Sequence, residues 1–185
     1  MQVELKVNDK SVQAEISEEQ LKETVLFEQL KKLGLIEDKP RTGYERVKKD
    51  EMYYAINTKD DSMINIKEFN DETDEQYYNI GNYYNDKVIA ENNARADRLL
   101  RQLRQWQAAN DKVISISDWK NDNIFKYHIE YDCFNDFLFV VYTTRFRTPN
   151  TIYFTSGEKA EEAIEVFKDE LKWYYTKYQQ RLDEE

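Results

Sequence analysis

The chain has 185 residues, enough for one compact domain or two small ones. Its 27 basic and 37 acidic residues give a formal charge of -10, a field that disfavours general affinity for DNA, RNA or anionic membrane but not for a basic partner. A single cysteine excludes an internal disulfide framework and a thiolate metal site, and no apolar run approaches the ~20 residues of a membrane span.

Aliphatic residues are scarce, yet 14 tyrosines and an aromatic content of 14% supply large burial area with polar tips. With 4 glycines and 2 prolines the chain is neither a linker nor of low complexity. The first residues, MQVELKVNDK, alternate polar and apolar and carry no hydrophobic signal region. The expectation is a soluble protein of the cytoplasm, with neither membrane contact nor cofactor.

In chain order, residues 2–7 and 12–16 alternate with period two around Asn8-Asp9, predicting a β-hairpin. Ser17 and Gln20 form a capping box, and Leu21, Val25, Leu26, Leu30 and Leu33 recur at helical spacing until Gly34. A connector with Pro40 ends this first segment, residues 1–39.

A second unit, residues 40–112, reads as strands at 44–47, 52–58 and 63–69, an acidic loop at 70–75, an aromatic strand at 77–84 and a helix at 87–109. The apolar stripe of that helix is Ala96, Leu99, Leu103 and Trp106. A third unit, residues 113–185, begins irregularly and continues as strands at 125–131 and 137–143 around a turn at 133–136. A strand at 151–154 then leads into a long helix capped by Thr155 and Glu158, with Ala160, Ala163, Ile164, Phe167, Leu171, Tyr174 and Tyr178 on its apolar face.

The fold class expected is α+β: an N-terminal hairpin plus helix, then two antiparallel β-meander units, each followed by a long amphipathic helix. Asn82-Tyr83-Tyr84-Asn85 aligns with Ile152-Tyr153-Phe154-Thr155, which suggests that the two units are duplicates packed as one domain.

No catalytic grouping assembles from these residues. His128 is the only histidine and Cys133 the only cysteine, and phosphate loops, nucleophile elbows, zinc spacings and EF-hand loops are all missing from the sequence. The expectation is a non-enzymatic protein in which His128 is structural and Cys133 is a partly buried, inert thiol.

Charge is more informative. Glu158, Glu161, Glu162, Glu165, Asp169 and Glu170 lie opposite the apolar stripe of the last helix, and Asp60, Asp61, Asp71, Asp74 and Glu75 crowd the stretch after the second meander strand. Arg95, Arg98, Arg101 and Arg104 fan around about half of the middle helix, because three-residue steps rotate ~300° each. These arginines can pair with the 60–75 acids inside the chain or contact phosphates or a partner's carboxylates. The acidic helix face is either solvated or a mimic of phosphates that occupies a basic groove.

The phrase YFTSGEKAEEAIEVFKDEL at 153–171, with GYERVKKDEMYYAI at 43–56 and GNYY at 81–84, resembles small uncharacterised Firmicutes phage and prophage proteins. The resemblance covers most of residues 43–175 and brings no catalytic motif. It implies a phage or mobile-element origin, and hence the cytoplasm of an infected bacterium. It also suggests an accessory role against a host defence or nucleic-acid-processing protein, of anti-CRISPR or anti-restriction type. Two other readings stand beside it: a structural or homo-oligomeric phage protein, and a nucleic-acid-binding protein that uses arginines 95–104 with Tyr83 and Tyr84.

Overall fold

In the computed structural model, which describes residues 2–7, 10–15 and 41–184, the alternating N-terminal residues form an antiparallel hairpin of β1 (Gln2–Val7) and β2 (Lys10–Glu15) in the register Val3↔Ala14 and Leu5↔Val12. It belongs to a compact unit, Met1–Pro40, separate from the unit Arg41–Glu185. The helix expected from Ser17 to Gly34 lies outside the described residues.

The larger unit is built on two further hairpins, so the protein is mixed α+β. In the first, β3 (Met52–Ile56) pairs with β4 (Met63–Lys67). The second joins β5 (Lys126–Asp132) to β6 (Phe137–Thr143). Among the described residues four helices accompany them: α1 (Glu72–Asn79), α2 (Lys87–Asn110), the single turn α3 (Ile116–Trp119) and α4 (Gly157–Thr176).

The first strand of each of these hairpins receives one antiparallel bridge on its outer side, Tyr54↔Tyr84 on β3 and Tyr127↔Phe154 on β5. Both are closed by a reciprocal pair of backbone hydrogen bonds of 2.7 and 2.9 Å. Two residues along from Tyr54, the Asn82 side chain continues the ladder alone. Its Nδ2 donates to the Ile56 carbonyl and its Oδ1 accepts from the Ile56 N–H, each at 2.8 Å. A carboxamide carries the same donor and acceptor as a peptide group, so one side chain serves for a strand residue.

Several expected elements are corrected. The segment 44–47 is no strand, because side chains satisfy its backbone: the Tyr83 hydroxyl accepts from the Val47 N–H at 3.1 Å and Asn85 Nδ2 donates to the Glu45 carbonyl at 2.9 Å. Only Tyr84 keeps a strand-like bridge, while most of the acidic loop and the first part of the aromatic strand of 70–84 become α1. Asp71 caps it by accepting from the backbone of Thr73 and Asp74, while Asp74 reaches back to the Asp71 N–H. Glu72, Asp74 and Glu75 in its first turn add favourable charge at the helix N-terminus. The expected strand at 151–154 contracts to the single bridge at Phe154. The cap of α4 is Ser156, which accepts from Lys159 N–H, while Thr155 is bound by Asp111 at the end of α2.

The main core lies between α2, α4 and the β5–β6 hairpin: Leu99, Leu103, Phe154, Ala160, Ala163 and Leu171 are buried, with Ile129, Leu138, Val140 and Phe167 packed against them. Full burial of each Leu or Phe is worth roughly 1.5–3 kcal/mol. Of the stripe expected on α2, Ala96, Leu99 and Leu103 are buried and Trp106 half-buried. Helix α4 is interrupted at Phe167, whose φ of -112° and ψ of 16° are not helical.

A second core is aromatic. Tyr53 and Tyr83 stack with centroids 4.0 Å apart, and both hydroxyls end on buried carboxylates: Tyr53 donates to Asp74 at 2.9 Å and Tyr83 to Glu68 at 2.7 Å. Glu68, 0% exposed, also receives Arg46 Nη2 at 3.0 Å and the Asn70 N–H at 2.8 Å. Each buried acid thus has several donors, as burial demands.

Candidate protein-binding face

The charged residues divide into those consumed inside the fold and those left on its surface. Arg95 donates through Nε and Nη2 to both oxygens of Glu170, and its guanidinium lies 4.0 Å from the centre of the Trp173 ring. Arg98 and Arg101 both grip Asp61, at 3.1 and 2.6 Å. Asp61 adopts φ 56° in the β3–β4 turn, and its carboxylate joins that turn to α2. Arg104 is exposed and makes no ion pair among the described residues.

The acids expected at 60–75 have local tasks. Asp60 accepts from Ser62 N–H and hydroxyl within its own turn, and Asp71 caps α1. Glu75 pairs with Arg46. Asp74 is 2% exposed. Burial opposes its ionisation, but the Phe69 and Asp71 N–H groups and the Tyr53 hydroxyl outweigh that and hold its carboxyl below the usual range.

Helix α4 is different. Glu158, Glu161, Glu162, Glu165 and Asp169 are exposed, opposite Ala160, Ala163 and Leu171. Lys159 neutralises Glu162 at 2.6 Å and Lys168 approaches Glu165 at 3.8 Å. Among the described residues Glu158, Glu161 and Asp169 have no basic partner within ion-pair distance. Glu170 differs from its neighbours: its bond to Arg95 lowers its carboxyl pKa, and it faces α2.

Beside this face runs a groove of about 970 Å³, lined by Leu138, Phe139 and Val140 of β6 and by Glu161, Ile164 and Glu165 of α4. Nothing in the sequence reading pointed to it. The signal available was the composition of β6, FLFVVYT, which has no charged residue in seven and is therefore unusual for a strand with only one neighbour.

The remaining candidates lie apart from this face and form no catalytic grouping among the described residues. His128 Nε2 lies 3.0 Å from Glu130 Oε1, and its ring is beside Tyr153. Cys133, expected to be partly buried, is exposed because it sits at the tip of the β5–β6 turn. Among the described residues no three His, Cys, Asp or Glu converge as metal ligands, and no helix is long and apolar enough to cross a membrane. Tyr83 and Tyr84, which would stack bases in a nucleic-acid reading, are 2% and 7% exposed.

The fold and this face together define a mixed α+β chain with one strongly carboxylate-bearing helix. Searches of protein-family models, curated proteins and solved structures find no match to it.

Proposed function

We propose that the chain is a non-enzymatic binding protein that engages a basic surface of a protein partner through the acidic face of α4. The observation that supports this is the sorting of charge. Three of the four α2 arginines are paired within the fold, whereas Glu158, Glu161 and Asp169 stand exposed without a cation among the described residues. A direct nucleic-acid role is opposed by the net charge of -10 and by the burial of Tyr83 and Tyr84.

The finer reading is a phage or mobile-element accessory protein that blocks a host defence or nucleic-acid-processing protein, with carboxylates in place of phosphates. Residues three or four apart on a helix recur about every 5 Å along its axis, of the same order as the ~3.4 Å axial rise per phosphate of a DNA strand.

Affinity capture from a bacterial lysate at low salt tests the reading, with the native chain beside a Glu158→Lys/Glu161→Lys/Asp169→Lys variant. The expected result is a partner retained by the native chain, released by salt and lost with the variant. Identical captures by both chains overturn it.

A further inference from the structure

The β5–β6 hairpin has one closed edge and one open edge. On the β5 side, Tyr127 exchanges both of its backbone hydrogen bonds with Phe154, and the Tyr175 hydroxyl donates to the Ile129 carbonyl at 3.1 Å. An antiparallel ladder alternates between residues that bond across the pair and residues that point away from it. Tyr127 and Ile129 therefore direct their backbone groups away from β6. Their register partners Tyr142 and Val140, and Leu138 one step further on, direct theirs away from β5. No other strand of the unit Arg41–Glu185 pairs with β6, so among the described residues of that unit these N–H and C=O groups form an unpaired row beside the groove between β6 and α4.

Natural edge strands are usually blunted by charge, proline or a bulge. The other comparable edge, β4, carries Lys67 and spans five residues, whereas β6 spans seven and carries no charge. The groove that borders it has an apolar floor of Leu138, Val140 and Ile164 and a helix wall bearing Glu161 and Glu165. A second copy of the chain is a poor occupant, because pairing β6 with β6 about a two-fold axis sets two acidic α4 faces side by side. A basic segment turns the same carboxylates into attraction.

We propose that the open edge of β6 is a strand-addition site for an extended, basic segment of another protein. The segment is held by the backbone groups of Leu138, Val140 and Tyr142, and its Lys or Arg side chains meet Glu161 and Glu165. The inference rests on the reading that α4 faces a basic partner, and it adds how that partner is held. At about 3.3 Å per residue, the edge accommodates a segment of roughly five to seven residues.

The test uses the full chain and an acetylated heptapeptide alternating Lys and Val, followed by calorimetry and amide NMR at low salt. The peptide is expected to bind, to shift the amides of Leu138, Val140 and Tyr142, and to slow their exchange with solvent. Methylating alternate backbone nitrogens of the peptide removes its ladder donors, and Val140→Pro removes an outward donor of the chain without touching the β5–β6 ladder. Each is expected to weaken binding about tenfold or more, the loss of one to two hydrogen bonds. Glu161→Lys/Glu165→Lys is expected to do the same. If Val140→Pro does not fold, the methylated peptide reads the same bond on the native chain.

Equal affinity for plain and methylated peptide overturns strand addition and leaves the acidic-face reading standing. Failure of the plain peptide to bind, or binding without change at the β6 amides, overturns it as well. So does a concentration-dependent dimer whose β6 amides are already protected, since a second copy then closes the edge.

Discussion

Arg95 meets Glu170 through a two-point hydrogen bond of 2.8 and 2.9 Å that ties α2 to α4. Stacking on Trp173 fixes the guanidinium plane. The pair is 41% and 40% exposed, so its worth is that of a well-oriented surface bridge plus a cation–π contact, about 1 kcal/mol. Arg95→Ala should lower unfolding free energy in urea by about that amount. Arg95→Lys should not restore it, because an ammonium cannot form the fork. Glu161→Ala, with no cation partner among the described residues, should change stability by less than about 0.5 kcal/mol.

The buried carboxylates should be far more sensitive. Arg46→Ala strips Glu68 of its cationic partner while the acid stays enclosed. A loss of about 2–4 kcal/mol is expected, somewhat below a fully buried pair because water can fill part of the Arg46 site. Tyr83→Phe removes one donor to Glu68 and the acceptor of the Val47 N–H and should cost about 1–2 kcal/mol. Thermal unfolding of the two variants beside the native chain measures the order.

Acid should erode stability through carboxylates held below their usual range, Glu45 and Asp74 among them. Burial raises the Glu45 carboxyl, but hydrogen bonds from the Thr42 hydroxyl and N–H and from Asn85 overcome it and hold it at about 2. Asp74 is likewise depressed. A group with a folded pKa below its unfolded value stabilises fully above the unfolded value, near 4, and loses that contribution as pH falls through the folded one. Unfolding free energy should therefore drop below about pH 4, and Asp74→Asn should flatten the slope.

At the alkaline end the sign reverses. Burial, with the charges of Tyr44 and Asp97, pushes Tyr84 up to about 12. Tyr53 and Tyr83 are raised by burial and by donating to Asp74 and Glu68. Their contribution is complete below about pH 10 and is lost as pH rises through the folded values. Phenolate absorbance should show these rings ionising only together with loss of the near-ultraviolet circular dichroism of the fold.

Two glycines with positive φ separate backbone strain from space. At Gly43, φ 96°, an added Cβ would lie 2.9 Å from Ile89 Cγ1, in the core near the start of α2; at Gly81, φ 73°, it would meet nothing within 4 Å. Gly81→Ala should cost about 1–2 kcal/mol, the conformational penalty alone. Gly43→Ala should exceed it by a further 1 kcal/mol or more from overpacking. Urea midpoints at equal m-value decide the comparison.

The hairpins and the two long helices were legible because MYYAI and FLFVVYT are short apolar, aromatic and β-branched runs bounded by polar turns, and because the stripe from Ala160 to Leu171 keeps helical spacing. Helix α1 was not, because Tyr77 and Tyr78 carry strand propensity and adjoin Tyr83 and Tyr84. The overlooked cue was Asp71 with Asp74, a capping box written in aspartates rather than Ser and Glu. The exposed carboxylates of α4 could be read from its helical wheel. That Asp74 is sealed beneath Tyr53, and that Asp61 and Glu170 are spoken for by arginines, depends on tertiary contacts of 21 to 75 residues' separation. No local pattern encodes those. Edge status is equally non-local: whether β6 has a second neighbour depends on where every other strand goes.

The uncharged edge of β6 also bears on how the protein behaves when crowded. A seven-residue aromatic and β-branched strand without a charge is a template for self-stacking, and the carboxylates of α4 flank it as an electrostatic fence against other copies. Such a fence weakens when salt screens it, and the chain as a whole loses its net charge near the sequence isoelectric point of 4.8. The protein should therefore self-associate through the β6 edge more readily at high ionic strength and at low pH, which light scattering across a salt and pH series measures.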